Sequence, residues 1–144
     1  MNIRQAIAAD VLELATVEKT QPRAAGWGLA GFEGEIKQRC SFIVCAEQDN
    51  KLVGFAAVRF AADVAELVNV AVHSQYIRQG IARQLLQQID CFLTQRQVRS
   101  VTLEVARDNS AAYHLYSSAG FKPLSVRKDF YGPAKDAVLM GKNL

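Results

Sequence analysis

The 144-residue sequence has no apolar run of membrane-spanning length, so it reads as a soluble protein. It has no apolar leader either: Arg4, Asp10 and Glu13 interrupt its first residues, so no signal peptide is expected and a cytoplasmic location is. It has no Lys/Arg run and no basic stripe interleaved with aromatics. Its net charge is only +3, from 17 basic and 14 acidic residues, which excludes nucleic acid as an expected partner but suits an anionic small molecule. Cysteine is scarce. Cys40, Cys45 and Cys91 have no metal-ligand spacing, so no metal site is expected. Their odd number without a secretion signal reads as reduced thiols packing as small hydrophobes. Repeats, low-complexity stretches and linkers are also missing. With 50% hydrophobic residues, this predicts one domain over residues 1–144 with a substantial core. Nothing in the composition separates a monomer from a homodimer.

What is present is an alternation of strand and helix patterns. Asn2 to Ile7 reads as a strand. Asp10 is placed to cap a helix running to about Lys19, with Val11, Leu14, Ala15 and Glu18 at helical spacing. Thr20 to Gly31 is broken by Pro22 and glycines around Trp27, and Phe32 to Arg39 adds a helical turn or two. Ser41 to Glu47 and Leu52 to Phe60 form a hairpin through Gln48-Asp49-Asn50-Lys51, followed by a strand from Val64 to His73. Ile81 to about Gln95 is an amphipathic helix with Ile81, Leu85, Ile89 and Phe92 on one face. Val98 to Val105 is a buried strand, Ser110 to Ala119 a helix stopped by Gly120, and Phe121 to Val126 and Ala137 to Met140 are closing strands. The order predicts an α/β fold, a mixed sheet with helices packed on it.

One junction carries a specific chemical requirement. Where the strand ending in Val70-Ala71-Val72 gives way to the helix at Ile81, the chain reads Arg78-Gln79-Gly80-Ile81-Ala82-Arg83. Gly80 permits a sharp turn and a close backbone approach, and Ala82 is small enough to keep the helix start near the strand. The unpaired N–H groups of a first helical turn attract an anion, and Arg78 and Arg83 add charge-assisted bonds. A phosphate-bearing ligand is expected there.

With its flanks included, this stretch resembles the GNAT superfamily of acetyl-CoA-dependent N-acetyltransferases, whose signature is Gln/Arg-x-x-Gly-x-Gly/Ala after an apolar-Ala-Val strand end. Ile77 stands where the signature has Gln or Arg. Downstream, Asn109-Ser110-Ala111-Ala112-Tyr113-His114-Leu115-Tyr116-Ser117-Ser118-Ala119-Gly120-Phe121 resembles the family's second block. Within the superfamily the chain is most similar to the RimI type, which acetylates the N-terminal amine of a ribosomal protein. That likeness rests on Leu103 to Asn109, Tyr116, Arg127-Lys128-Asp129-Phe130-Tyr131 and Asp136-Ala137-Val138-Leu139-Met140. The chain departs from the type at Gly26-Trp27-Gly28 and in the short loop Gly132 to Lys135. The resemblance implies a mostly antiparallel central sheet with a splayed strand pair. It implies acetyl-CoA as the acetyl donor, its pyrophosphate cradled by residues 78–83. It implies the pantetheine along the free edge of Val70-Ala71-Val72, and contact from Asn109 unless that side chain only caps its helix.

An amine attacking a thioester needs a base for its proton, donors for the carbonyl oxygen and an acid for the leaving thiolate. In Val101-Thr102-Leu103-Glu104-Val105 the apolar residues alternate, so Thr102 and Glu104 share the other face. Within the resemblance Glu104 is the candidate base and Glu66, on the preceding strand, its rival. Tyr116 is the candidate acid, against a purely packing role in the stripe Ala112, Leu115, Tyr116, Ala119. A backbone N–H of the Val70–Val72 strand end is the candidate donor to the oxygen. Trp27 and Tyr131 are candidate walls of the acceptor channel. His73 and His114 read as surface residues. The acceptor is expected to be a protein N-terminal α-amine; a small amine, a lysine side chain and a non-catalytic CoA-binding module are the alternatives.

Overall fold

The structure, a computed structural model, describes residues 1–144. Seven strands, β1 (Asn2–Gln5), β2 (Ser41–Gln48), β3 (Lys51–Ala61), β4 (Val64–Val72), β5 (Ser100–Ala106), β6 (Lys122–Arg127) and β7 (Ala137–Asn143), form one sheet in the order β1-β2-β3-β4-β5-β7-β6. Four helices flank it: α1 (Val11–Lys19), α2 (Gly28–Glu35), α3 (Ile81–Gln95) and α4 (Ser110–Ser118). Every neighbouring pair is antiparallel except β4 and β5, which are parallel because α3 carries the chain across between them. The mixed α/β sheet and the order of its elements are those the sequence predicts.

The middle of the sheet is covered on both faces, which explains why β2 and β3 read as continuous apolar runs. The stripe Ile81, Leu85, Leu86, Ile89 and Leu93 of α3 packs with Val44, Ala46, Val53 and Val58 on one face. Leu14 and Val17 of α1 and Phe32 of α2 pack with Ile43, Cys45, Phe55 and Ala57 on the other. Phe32 and Phe55 are fully buried and meet edge to face at 5.1 Å. Truncating either to alanine would cost about 3–5 kcal/mol. The β2–β3 turn has Asp49 and Asn50 at φ 54° and 63°, the left-handed pair that two-residue hairpins need.

Local expectations fail where distant side chains intervene. Asp10 does not cap α1 with its side chain. Its carboxylate accepts the Ile7 N–H at 2.8 Å and two bonds from Arg4 at 2.8 and 3.0 Å. The second helix begins at Gly28 rather than Phe32, because Glu18 of α1 accepts the N–H groups of Trp27 and Gly28, both at 2.9 Å. That is a helix start satisfied from another helix, which no local signal announces. Only Cys45 is buried; Cys40 and Cys91 are exposed, in the turn before β2 and off the apolar stripe of α3. The packing role expected of all three therefore holds for one, whose thiol burial pushes up to about 11.

The close approach of α3 to the sheet is set by a residue the sequence analysis did not single out. A Cβ on Gly54 of β3 would meet Ile81 and Leu85 side-chain atoms at 3.2 Å and the Ala71 carbonyl at 3.3 Å. Gly54 thus lets the helix start sit down on the strands.

The β4–β5 ladder has only three pairs, Val64↔Ser100, Ala65↔Val101 and Glu66↔Thr102. Just beyond it the β3–β4 register slips, with Val58 opposite Leu67 and Ala57 opposite Asn69, leaving Val68 unpaired. Such a bulge bends and twists its strand. From Leu67 onward β4 turns away from β5, and the wedge between them opens.

Candidate active site

That wedge is a cleft of about 990 Å³. It brings together Trp27, Glu66, Val70, Glu104, Asn109, Tyr116 and Tyr131 from the sequence-predicted set. Ala71, Val72 and the turn residues Arg78, Gln79, Gly80, Ile81, Ala82 and Arg83 do not line it; they lie further along, where β4 runs out into the turn before α3.

Strand alternation decides what β4 offers to the open side. The His73 N–H bonds back to the Val53 carbonyl of β3 at 2.8 Å, so Ala71 and His73 face β3 with their main-chain groups. The N–H and C=O of Val70 and Val72 therefore face the wedge. Gln21 donates its side-chain amide to the Val72 carbonyl at 2.8 Å, leaving the Val70 groups free. Ala71 itself is buried in the core beneath α1.

The turn has a backbone built for the close approach of a ligand. Gly80 caps α3 at φ 77° with no side-chain cap, and a Cβ there would meet nothing within 4 Å. The glycine is thus required by its dihedral angle, and the space beside it is open. Arg78 also adopts a left-handed φ, 64°, a costly conformation for a side chain of its size. Ile81 is buried in the core, Ala82 is half-buried, and Gln79, Arg83 and Ile77 are exposed. Neither Arg78 nor Arg83 is engaged in any of the chain's seven ion pairs. His73 steadies the approach to the turn by accepting the Gln75 N–H at 3.1 Å, and His114 is exposed, both as surface residues.

Glu104 and Glu66 differ sharply. Glu66 is exposed at the last β4–β5 pair. The Glu104 side chain is 14% exposed. One of its oxygens, Oε1, lies 3.3 Å from Arg127 Nε, and the other, Oε2, is buried without a hydrogen-bond partner. Burial raises its pKa above the ordinary carboxylate value; Arg127 opposes that shift and Glu66 reinforces it. Tyr116 packs edge to face on Phe121 at 5.9 Å, and burial pushes its phenol up to about 12, with Tyr131 adding to the effect. Tyr131 is 47% exposed, and burial and Glu104 raise its phenol as well. Asn109 caps α4 by accepting the Ala112 N–H at 3.3 Å, and its amide nitrogen remains without a partner. Trp27 both packs on Phe32 at 5.3 Å and lines the cleft, with the Arg59 guanidinium over its ring at 5.6 Å.

Several cleft residues were not singled out from sequence. Arg59 makes two bonds to Glu35, at 2.9 and 2.8 Å. Buried Asn69 donates to Glu18 at 2.8 Å and accepts the Ala25 N–H at 3.2 Å. Arg23 and Asp108 meet at 2.9 Å, and Asp136 accepts the Asp129 N–H at 3.0 Å. The signals were present: a lone Arg in the apolar run Leu52 to Phe60, a Glu at an apolar position of α1, and an Asn between valines.

A family model described as the acetyltransferase (GNAT) family matches residues 8–121. The [ribosomal protein bS18]-alanine N-acetyltransferase of Escherichia coli strain K12 is 38% identical over 96 residues, 65% of this chain and 65% of that protein. The match thus spans just under two thirds of that relative's length. The protein of the same name from Haemophilus influenzae is 30% identical over 142 residues, 96% of this chain and 95% of its own. Among solved structures, the ribosomal-protein-S18-alanine N-acetyltransferase from Escherichia coli superposes with a TM-score of 0.88 at 29% identity, covering 99% of this chain and 92% of that one.

Proposed function

The chain belongs to the acetyltransferase (GNAT) family, and on that footing we propose that it transfers acetyl from acetyl-CoA to the N-terminal α-amine of a protein. The acceptor class is a ribosomal protein, as in the names of its relatives from Escherichia coli and Haemophilus influenzae. The observation that carries the reading is the pairing of a half-buried carboxylate with one buried, unpartnered oxygen, Glu104, and a half-buried phenol, Tyr116, in one cleft at the mouth of a splayed strand pair. The residues fit a phosphate-bearing donor with an amide-containing arm. An uncapped helix start with open space beside Gly80 suits the pyrophosphate, and the free main-chain groups of Val70 suit the arm.

Acetyl-CoA, when bound, supplies the activated thioester. Glu104 accepts a proton from the incoming ammonium, directly or through a water, and its raised pKa brings it closer to the task than an exposed carboxylate. The Val70 N–H donates to the acetyl oxygen as charge develops there. Tyr116 stays protonated at neutral pH, so it can donate a hydrogen bond to the departing thiolate and give up its proton as negative charge builds on the sulfur. Glu66 is exposed and is the weaker candidate for the base. Trp27 and Tyr131 form walls for the acceptor, and Arg78 and Arg83 hold the phosphates.

The test is incubation with acetyl-CoA and peptides copying ribosomal-protein N-termini, alongside lysine-containing peptides and small amines, with the modified site read by mass spectrometry. Acetyl on the α-amine is expected. Acetyl only on lysine side chains or small amines would overturn the acceptor, and tight CoA binding without turnover would make the chain a binding module.

A further inference from the structure

Arg127 closes β6, the edge strand, and its side chain reaches over the neighbouring strand β7 to Glu104 on β5. The register Arg127↔Ala137 on one side of β7 and Leu139↔Glu104 on the other makes this a diagonal contact. The guanidinium makes its closest approach to one carboxylate oxygen, Oε1, from Nε at 3.3 Å, an ion-pair contact rather than a hydrogen bond. The second oxygen is buried and has no partner. The guanidinium also lies 5.9 Å from the ring centre of Phe130, at the start of the loop that carries Tyr131 into the cleft.

We propose that Arg127 is a positioning residue for Glu104: it holds one carboxylate oxygen so that the other stands free as the proton acceptor. The inference rests on the function proposed above. A two-toothed grip would occupy both oxygens, and no grip would leave the carboxylate free to rotate. Held by one oxygen, the group keeps a fixed orientation and an open lone pair. The charged and titratable groups around it are Arg127 from β6, Glu66 from β4, Tyr131 from the β6–β7 loop and Tyr116 from α4. Arg23, Arg59, Arg107 and Lys135 line the same cleft, and of the cations Arg127 is the one that acts on the Glu104 carboxyl. It favours the ionised carboxylate that a base requires, against a burial that disfavours it.

The experiment compares wild type with Arg127→Gln and Arg127→Lys. The readouts are kcat/KM against pH and, separately, the titration of the Glu104 carboxyl by carbon NMR. For Arg127→Gln the acid limb and the carboxyl titration should both move to higher pH by half a unit or more, and kcat should fall about tenfold at neutral pH. Arg127→Lys should restore the titration more fully than kcat, since it returns the charge without the planar Nε contact. Raising salt should move the wild-type limb in the same direction as the glutamine variant, a reading that needs no variant to fold. An unmoved Glu104 titration in Arg127→Gln, or a wild-type limb indifferent to salt, would overturn the proposal. A wild type that acetylates no amine would overturn the function instead, and the NMR titration would still decide the role of Arg127.

Discussion

Past the splay, β4 runs into a turn where the proposed donor would meet main-chain N–H groups, whereas the cleft is assembled from side chains that meet across the fold. The turn is shaped by one glycine with φ 77° and an uncapped helix start. Around the cleft, Glu18 with Asn69, Arg59 with Glu35, Arg127 with Glu104 and Arg107 with Asp136 join residues 51, 24, 23 and 29 positions apart. A backbone-built site tolerates side-chain change, which accounts for an exposed Ile77 at a position where the family has Gln or Arg. A site built from such cross-fold contacts loses its arrangement when either partner is changed.

The strongest way to separate the two regions is Tyr116→Phe. Turnover should fall by ~10²–10⁴ while CoA affinity, which the proposed function assigns to the turn, stays within error by calorimetry. Glu104→Gln should lose activity on a similar scale and shift stability with a definite sign. Its folded pKa is raised above the unfolded value, so the ionised form works against the fold above about pH 4.3. The glutamine variant should therefore unfold at a higher temperature than wild type at pH 7, and the difference should vanish below pH 4. Asp10, whose pKa Arg4 lowers, sets the opposite example: its stabilisation is present above about pH 3.9 and is lost as pH falls through its folded value.

Smaller effects sharpen the contrast. Glu18→Gln should cost about 1–3 kcal/mol in denaturant unfolding and raise the acceptor KM without changing CoA affinity, because the carboxylate ties Trp27, Gly28 and Asn69 together on the side proposed for the acceptor. Gly80→Ala should do the reverse. The left-handed φ costs about 1–2 kcal/mol, and CoA should bind roughly tenfold more weakly with the acceptor KM unchanged. The smallest change is expected for Arg23→Ala, which breaks a fully exposed pair to Asp108 and should leave the unfolding temperature where it was.

The same division explains what could be read from the sequence. The hairpin at Asp49-Asn50, the stripe of α3 and the Gly80 turn each depend on residues a few positions apart, and each lies where the pattern puts it. The start of α2 depends on Glu18, and the seat of α3 on Gly54, residues whose partners lie in other elements. Glu104 and Tyr116 lie in one cleft, but the hold of Arg127 on the carboxylate could not be foreseen from strand alternation.

The three-pair seam between β4 and β5 also has a consequence for how the molecule breathes. Antiparallel ladders knit β1 through β4 together, and β5, β7 and β6 form their own ladder, so two cooperative units share one narrow joint. A cofactor arm lying in the wedge would lengthen that joint like an added strand. Hydrogen exchange should then slow on both flanks at once when CoA is added, and the two halves should melt as one.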